Sequence, residues 1–201
     1  MKKTICFFML ALFVTTSFAQ KLDVVSGDIK NLKGISEYQL EFDYSNLQIP
    51  KYDSEEDFLK DKMDKRDEKE EGTGEKFRES WFADRENRYE PKFIESFNKR
   101  FEDEEVSVGK DKTDAAYVMK IHTTMMYPGY NVGVMRQNSK IEATITVYEA
   151  ANPSNVLFSG NYTKIEGYGA FGNDYDSGYR ISEAYAKLAK EFAFFIKKKA
   201  K

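Results

Sequence analysis

Alternating hydrophobic and polar positions predict most of the strands in this chain. From Tyr38 to Tyr44, aromatic and aliphatic residues take every second position, and polar residues lie between them. A period of two is typical of a strand with one buried face. Three further stretches repeat the pattern, at residues 106–108, 117–123 and 141–147. Together these segments predict a sheet that buries one face and exposes the other.

Turn residues indicate how some strands connect. The Asn-Pro-Ser-Asn sequence at residues 152–155 has the composition of a turn. The strand predicted at 156–166 should therefore pair with its predecessor as an antiparallel hairpin. A second turn is predicted at residues 127–130, Tyr-Pro-Gly-Tyr. Residues 21–35 alternate only weakly, and we expect a loosely ordered lead-in there.

Helical spacing marks the segments between and after the strands. Ser54 followed by three acidic residues resembles a capping box and predicts a helix that continues to Glu71. A second helical stretch carries Phe77, Trp81 and Phe82, and Pro91 suits the first turn of a third. The third stretch has an aromatic face made of Phe93, Ile94, Phe97 and Phe101. The strongest helix is the last, capped by Asp176 or Ser177, with an apolar face of Ile181, Ala184, Tyr185, Leu188, Ala189, Phe192, Phe195 and Ile196.

These elements predict an α+β fold. We expect a two-layer sandwich in which helices cover one face of a mainly antiparallel sheet of four to five strands. The predicted element order is β-α-β-β-β-α. Residues 20–201 should form a single domain, with a charged helical insertion at about 53–103.

The first nineteen residues are typical of a secretion signal. Lys2 and Lys3 precede an apolar run from Ile5 to Val14, and Ser17 and Ala19 stand at the two positions that a signal peptidase reads. The run is shorter than the 20 or so residues that span a membrane. An uncleaved anchor is the alternative. A cleaved leader predicts a bacterial product in the periplasm, associated with the outer membrane, or outside the cell.

Removing the leader changes the composition. The full chain has 201 residues and a net charge of −3, whereas residues 20–201 number 182 and carry a net charge of −5. The only cysteine, Cys6, leaves with the leader. Without it there is no disulfide, thiolate nucleophile, zinc–cysteine site or iron–sulfur cluster. Mild acidity argues against nucleic-acid binding, and no later segment is apolar enough to be a transmembrane span.

The charge deficit is concentrated in one segment. Residues 53–71 hold ten acidic and five basic side chains, a local balance equal to that of the whole mature chain. An acidic surface for a basic partner is one interpretation. A solvated helix with ion pairs between residues four apart is the favoured one.

Three patterns suggest a cofactor or a metal site, but the surrounding sequence argues against each of them. Residues 167–172 match the glycine spacing of a dinucleotide-binding loop, but the last helix begins several residues later and no second βα unit follows. Asp174, Asp176 and Glu183 have part of a calcium-loop spacing, but Gly172 and Ser177 occupy its first and sixth positions. His122 is alone and is better interpreted as a structural or surface residue. We therefore predict no cofactor, no metal and no catalytic residue, although 34 acidic residues leave carboxylate pairs open.

Two aromatic loops are the remaining candidate for function. Tyrosine buries a large ring at small entropic cost and keeps a polar tip, which suits recognition surfaces. The alternative is that these rings cover the sheet and pack against the last helix. The candidate binding residues are Tyr127, Tyr130, Tyr168, Phe171, Tyr175 and Tyr179, with Arg136 and Arg180 as the nearest cations in sequence.

Four segments carry a resemblance to a known family. They are residues 41–46, 123–136, 150–154 and 178–187, and they extend across most of the mature chain. In these segments the chain resembles a family of secreted, uncharacterised envelope proteins of Gram-negative bacteria. The resemblance implies export and implies no activity. The element order is also similar to that of small outer-membrane assembly lipoproteins, although this chain lacks their lipid-anchor cysteine.

The sequence thus favours a non-enzymatic envelope protein that acts as a binding or assembly module through protein–protein contacts. Two alternatives remain. A secreted hydrolase acting on glycan would need a cleft with two carboxyl groups. A small-ligand carrier would need an apolar cavity between sheet and helices.

The leader generates the first prediction. Expressed in an exporting Gram-negative host, the protein should accumulate with Gln20 as its first residue, as measured by intact mass. Ala19→Phe should block processing because the peptidase accepts only small residues there. Ala11→Phe, within the apolar run, should be processed normally. Recovery of the unprocessed chain from the wild type would contradict the assignment.

Overall fold

The computed structural model describes residues 21–101, 106–169 and 176–200. In the described part of the chain, the strands are β1 (Lys21–Gly27), β2 (Glu37–Asp43), β3 (Ser107–Gly109), β4 (Tyr117–Tyr127), β5 (Tyr130–Asn131), β6 (Arg136–Gln137), β7 (Ser139–Glu149) and β8 (Asn152–Gly167). The helices are α1 (Glu55–Asp67), α2 (Thr73–Asp84), α3 (Glu90–Asn98) and α4 (Ser177–Lys199). A π-helical turn, Arg85–Tyr89, joins α2 to α3.

The predicted α+β class is confirmed, and the sheet is larger and more mixed than expected. Six strands pair in the order β1-β8-β7-β4-β2-β3, and β5 and β6 form a separate hairpin. Strands β1, β8, β7 and β4 are antiparallel, whereas β2 pairs in parallel with β4 and with β3. The parallel pairing has a topological reason. Three helices lie between β2 and the next strands, and a connection of that length returns the chain in the same direction.

Two local predictions were wrong. Residues 21–27 are not a loose lead-in, because they form the edge strand β1 on β8. The turn expected at 152–155 lies at Ala150–Ala151 instead, since Glu149 and Asn152 already face each other across the β7–β8 pair. Both errors concern positions where pairing with β8 determines the conformation and the local sequence pattern is weak.

The core lies between the sheet and the helices α3 and α4. The inward residues of β4 and β7 alternate as predicted, and Ile121, Ile145 and Val147 are fully buried. Helix α4 packs on β7 and β8, and α3 packs beside it. Helix α4 approaches the sheet closely at Gly167, where an added Cβ would lie 1.9 Å from the carbonyl oxygen of Arg180. The first glycine of the dinucleotide-like motif therefore serves helix packing.

The other face of the sheet is polar and carries its own hydrogen bonds. Thr144 donates to Asn161 over 2.7 Å, and Tyr148 donates to Glu41 over 2.8 Å. His122 lies on the same face, half-buried, and its Nε2 donates to the Ser45 carbonyl oxygen over 2.9 Å. This contact fits the interpretation of His122 as a structural residue.

The charged helix α1 begins as its sequence predicts. Ser54 is the N-cap, and its hydroxyl accepts from the backbone N–H of Asp57 over 3.0 Å. Lys60–Asp64 and Asp61–Lys65 form ion pairs between residues four apart, at 2.7 and 2.6 Å. The solvated-helix interpretation therefore accounts for this side of α1, and pairs exposed to this degree contribute little to stability.

Two buried tyrosines make a matched test of the core. The Tyr185 hydroxyl lies 2.6 Å from the Thr123 hydroxyl, whereas the Tyr38 hydroxyl, equally buried, has no hydrogen-bond partner among the described residues. Tyr185→Phe should lower the free energy of unfolding by about 1–3 kcal/mol, because it leaves Thr123 buried and unsatisfied.

Tyr38→Phe removes the same atom and should be neutral or stabilising, since it relieves the desolvation of a hydroxyl that bonds to nothing. Urea unfolding of both variants measures the difference. Equal losses in the two variants would contradict the assignment.

Candidate functional site

Five segments of the chain meet around a cleft at one end of the sheet, and we name it the aromatic–basic cleft. It is bounded by the loop after β2, by α1 and α2, by the loop between β4 and β5, and by the first turn of α4. Its volume is about 410 Å³. The described residues that line it are Ile49, Pro50, Lys51, Tyr52, Phe58, Lys62, Arg66, Phe77, Tyr127, Pro128, Gly129, Tyr130, Asn131, Ser177 and Arg180. This set contains four basic residues and no carboxylate.

One wall of the cleft is a cluster of aromatic rings. Tyr52 meets Phe58 edge-on at 5.3 Å between ring centroids, and Phe58 meets Phe77 at 6.2 Å. Trp81 lies behind Phe58 at 4.8 Å and is itself buried. Edge-to-face pairs at these distances stabilise the cluster beyond simple area burial. The wall is therefore held in place by the same rings that attach α1 to α2.

Arg66 is a partly buried cation of the cleft, and it stacks on an aromatic ring. Its guanidinium lies 3.8 Å above the Phe77 ring and donates to the Lys62 carbonyl oxygen over 3.0 Å. Burial lowers its pKa from the usual value, although an arginine stays protonated at any physiological pH. No carboxylate among the described residues pairs with it. An anion in the cleft would offset this desolvation.

Lys62 is a cation that already has a partner. Its ammonium donates to the Tyr52 hydroxyl over 2.9 Å and to Asp61 over 3.0 Å, and the Tyr52 hydroxyl donates to Asp61 over 2.7 Å. Burial acts to lower the pKa of Lys62, but the hydrogen bonds to Tyr52 and Asp61 outweigh it and raise that pKa. Lys62 therefore stays charged and positions Tyr52, while Asp61 balances its charge.

Lys51 stands at the rim of the cleft in an uncommon backbone conformation. Its φ is +77°, in the left-handed region that a lysine rarely adopts, and its side chain is exposed. It forms no ion pair with any described residue. The loop thus keeps a strained residue at the rim, and its ammonium is available to a ligand.

Arg180 closes the cleft from the α4 side. It is only 2% exposed, and its Nη2 donates to the Pro128 carbonyl oxygen over 3.0 Å. Asp176 caps α4 by accepting from the Tyr179 backbone N–H over 3.2 Å, and it also pairs with Arg88. These contacts fix the start of α4 and tie it to the loop between β4 and β5.

The structure brings three of the predicted binding residues together, namely Tyr127, Tyr130 and Arg180. Arg136 lies on β6 opposite Asn131, is exposed, and does not itself line the cleft. Tyr168 is also outside it, where it donates to Glu166 over 3.0 Å.

Tyr179 lies in the first turn of α4 and is half-buried, and it does not line the cleft. Phe171 and Tyr175 lie outside the described residues, as does Asp174. Glu183, the other calcium candidate, pairs with Lys92 over 3.1 Å. Within the described ranges, no three His, Cys, Asp or Glu side chains are placed to hold a metal ion.

Sequence reasoning missed the contribution of α1 and α2. Phe58, Lys62 and Arg66 are spaced by four residues and share one face of α1. That spacing was a usable signal, but ten acidic residues in the same segment favoured a fully solvated helix. Phe77 was predicted as part of a helical stretch, with no role in binding.

A second groove contains several carboxylates, including Asp43 and Glu90. The ionisation state of Asp43 makes it a poor general acid. Asp43 pairs with Lys120 over 2.7 Å, and this contact holds its pKa well below the usual range. Glu90 is buried and pairs with Lys110 over 2.6 Å. A general acid needs a raised pKa, whereas Asp43 is held in its ionised form.

Comparisons with known proteins add little. No protein-family model matches the chain, and no curated protein matches it. Among solved structures, the chain is similar to a dodecamer of a PelC variant from Paraburkholderia phytofirmans, with 12% sequence identity over 85% of this chain and 97% of that one, at a TM-score of 0.36. A likeness at that TM-score supports no argument about function. Separately, none of the helices in the described ranges is both long and apolar enough to cross a membrane.

Proposed function

We propose that this protein is a non-enzymatic binding module of the Gram-negative cell envelope, and that its aromatic–basic cleft binds an acidic segment of a partner protein. Export is supported by the leader pattern of residues 1–19, and the envelope assignment by the family resemblance. The binding role rests on the cleft.

The observation that carries the proposal is the composition of the cleft. In a chain with more acidic than basic residues, four basic and five aromatic side chains line one concavity that has no carboxylate among its described lining. Like charges that line one cleft repel one another unless a counter-charge compensates for them. Asp61 compensates for Lys62, but no described carboxylate does so for Arg66 or Lys51. An acidic ligand supplies the missing counter-charge.

A protein segment fits this chemistry well. Aromatic and arginine side chains in partly desolvated pockets contribute most to the affinity of protein interfaces. Tyr130, 39% exposed, and the ring of Phe77 under Arg66 offer such anchors. A short segment with one apolar side chain between carboxylates would place that side chain against the rings and its charges on Arg66 and Lys51.

A small anionic ligand is the second candidate, and the size of the cleft favours it. Small-molecule sites commonly enclose about 300–1,000 Å³, and the cleft encloses about 410 Å³. The two candidates differ in what becomes crosslinked to the cleft, which the following experiment measures.

A photocrosslinking amino acid tests the occupant directly. We expect p-benzoylphenylalanine at position 77, in the cleft, to crosslink in cells to a defined envelope protein. Mass spectrometry should locate the crosslink in a segment rich in Asp and Glu. Position 82 is the matched control. Phe82 is on the same helix as Phe77, is also half-buried and also lies near arginines. It lines the second groove and not the aromatic–basic cleft. Identical crosslinks from both positions, or none from position 77, would refute the protein-segment proposal.

Charge reversal at the rim tests the electrostatics. Lys51→Glu should weaken binding of a synthetic peptide of the crosslinked segment about fivefold or more, because it replaces an attraction by a repulsion. Lys164→Glu is the control. Lys164 is also exposed and has a positive φ, of 60°, but lies on β8 away from the cleft. Isothermal titration in about 0.15 M salt measures both, and an equal effect of the two variants would argue against the cleft.

A further inference from the structure

The β5–β6 hairpin exposes an apolar tip. Val132 is 60% exposed, Val134 94% and Met135 60%, and Tyr130 precedes them. Among the described residues, four of the eight large hydrophobic side chains that are exposed lie in this one hairpin. Single exposed apolar residues need no explanation, but a cluster at the end of a projection marks an interaction site.

Hydrogen bonds within the hairpin fix the conformation of its tip. The backbone N–H of Val132 donates to the Met135 carbonyl oxygen over 3.0 Å, and that of Val134 to the Val132 carbonyl oxygen over 3.1 Å. Gly133 has a φ of +84°, and its N–H donates to the Asn131 side chain over 2.9 Å. These bonds fix a tight turn that directs aliphatic side chains outward.

The base of the hairpin is fixed to the domain. Gly129 has a φ of +68°, and a Cβ there would lie 2.4 Å from the Gln137 carbonyl oxygen, so the two chains approach closely. Pro128, next to it, accepts from the buried Arg180. The tip is therefore presented at a set position relative to α4.

The charge around the hairpin differs from that of the rest of the chain. Residues 115–141 contain no Asp or Glu, although the chain has 34 of them. The same stretch holds three basic residues, Lys120, Arg136 and Lys140, of which Lys120 pairs with Asp43 over 2.7 Å. Lys140 pairs with Glu166 over 3.1 Å, and Arg136 is exposed on β6 opposite Asn131. Nothing within this stretch of sequence would repel an anionic surface.

We infer that the hairpin inserts its tip into the interface of a lipid bilayer that carries anionic headgroups. Moving back from the tip, the order is aliphatic side chains, then Tyr130 and Arg136. The same order suits a bilayer interface, where aliphatic groups reach the acyl boundary while tyrosine and arginine remain at headgroup level. Two extended residues span about 7 Å, which agrees with the roughly 5–10 Å depth of interfacial insertion.

The order of groups along the hairpin favours lipid over a second protein. A bilayer presents acyl chains to the aliphatic tip and anionic headgroups to Arg136 behind it, in the same order as in the hairpin. Tyr130 also lines the aromatic–basic cleft, but the inference rests on the aliphatic tip and does not require the cleft to be occupied.

Vesicle binding tests the inference. The protein is purified in the form that an exporting host accumulates, with its N-terminus determined by mass. We expect it to co-sediment with vesicles of phosphatidylethanolamine and phosphatidylglycerol at 3:1, and much less with phosphatidylcholine alone. Val132→Asp and Val134→Asp should each reduce binding about tenfold or more, because a buried aliphatic group is replaced by a charge.

Val25 is the matched control. It lies on β1, outside the hairpin, and is 59% exposed, as Val132 is 60% exposed. Val25→Asp introduces the same charge and should leave vesicle binding within about twofold of the wild type. Val134→Trp should show a blue-shifted emission with the 3:1 vesicles and quenching by brominated lipid, whereas Val25→Trp should show neither.

Three results would overturn the inference. The first is a wild type that binds neither kind of vesicle. The second is an equal loss for Val25→Asp and the hairpin variants. The third is wild-type binding to phosphatidylcholine vesicles that is as strong as binding to the 3:1 vesicles, which would remove the role of anionic headgroups. The crosslink from position 77 is measured separately, so failure here leaves the proposed function standing.

Discussion

The burial of α4 against the sheet is the interaction on which the rest of the structure depends. Ile181, Tyr185, Leu188 and Phe192 are each fully buried on one side of this helix, and burying a side chain of this size contributes about 1.5–3 kcal/mol. Helix α3 packs beside α4 and also on the sheet, where Phe93 meets Phe42 edge-on at 5.8 Å between ring centroids. The π-helical turn before α3 is joined to α4 by Tyr89, whose ring stacks on Tyr185 at 5.3 Å. Helix α4 therefore connects the sheet, α3 and the π-helical turn.

The charged helices α1 and α2 are attached differently. Their surface is mostly ionic, so a few aromatic rings provide the apolar contact that holds them. Phe58 is 4% exposed and touches both Tyr52 and Trp81, and Arg85 and Trp81 both bond to Glu55. The rings that attach the insertion also form the wall of the cleft. The position of the cleft therefore follows from how a polar insertion is anchored to an apolar core.

Sequence patterns predicted the elements whose own residues determine them. Strand β7 alternates along almost its whole length because it has one buried face, β4 alternates from Met119 to Thr123, and Ser54 caps α1 through a contact three residues away. The predictions that failed concern strands whose conformation or pairing depends on residues distant in sequence. In β1, Val24 and Val25 are both exposed, so no clean alternation marks the strand, and its conformation comes from pairing with β8. The parallel pairing of β2 is likewise determined by the topology of the chain. The hydrophobic periodicity of β2 itself gives no information about its partner strand.

The same distinction between local and distant determinants explains which residues of the candidate site could be predicted from the sequence. Tyr127 and Tyr130 were predicted because a loop rich in tyrosine, proline and glycine is unusual in itself, whereas Arg66 became a candidate only when its helix was placed against the loop. Arg180 connects these parts. Its guanidinium holds the Pro128 carbonyl, and that loop forms one side of the cleft and supports the hairpin at its outer end. The hairpin is also joined to the cleft directly, because Tyr130 and Asn131 of β5 belong to the cleft lining. Any coupling between the two sites can therefore pass through these shared residues as well as through the contact between Arg180 and Pro128, and by linkage it is equal in both directions.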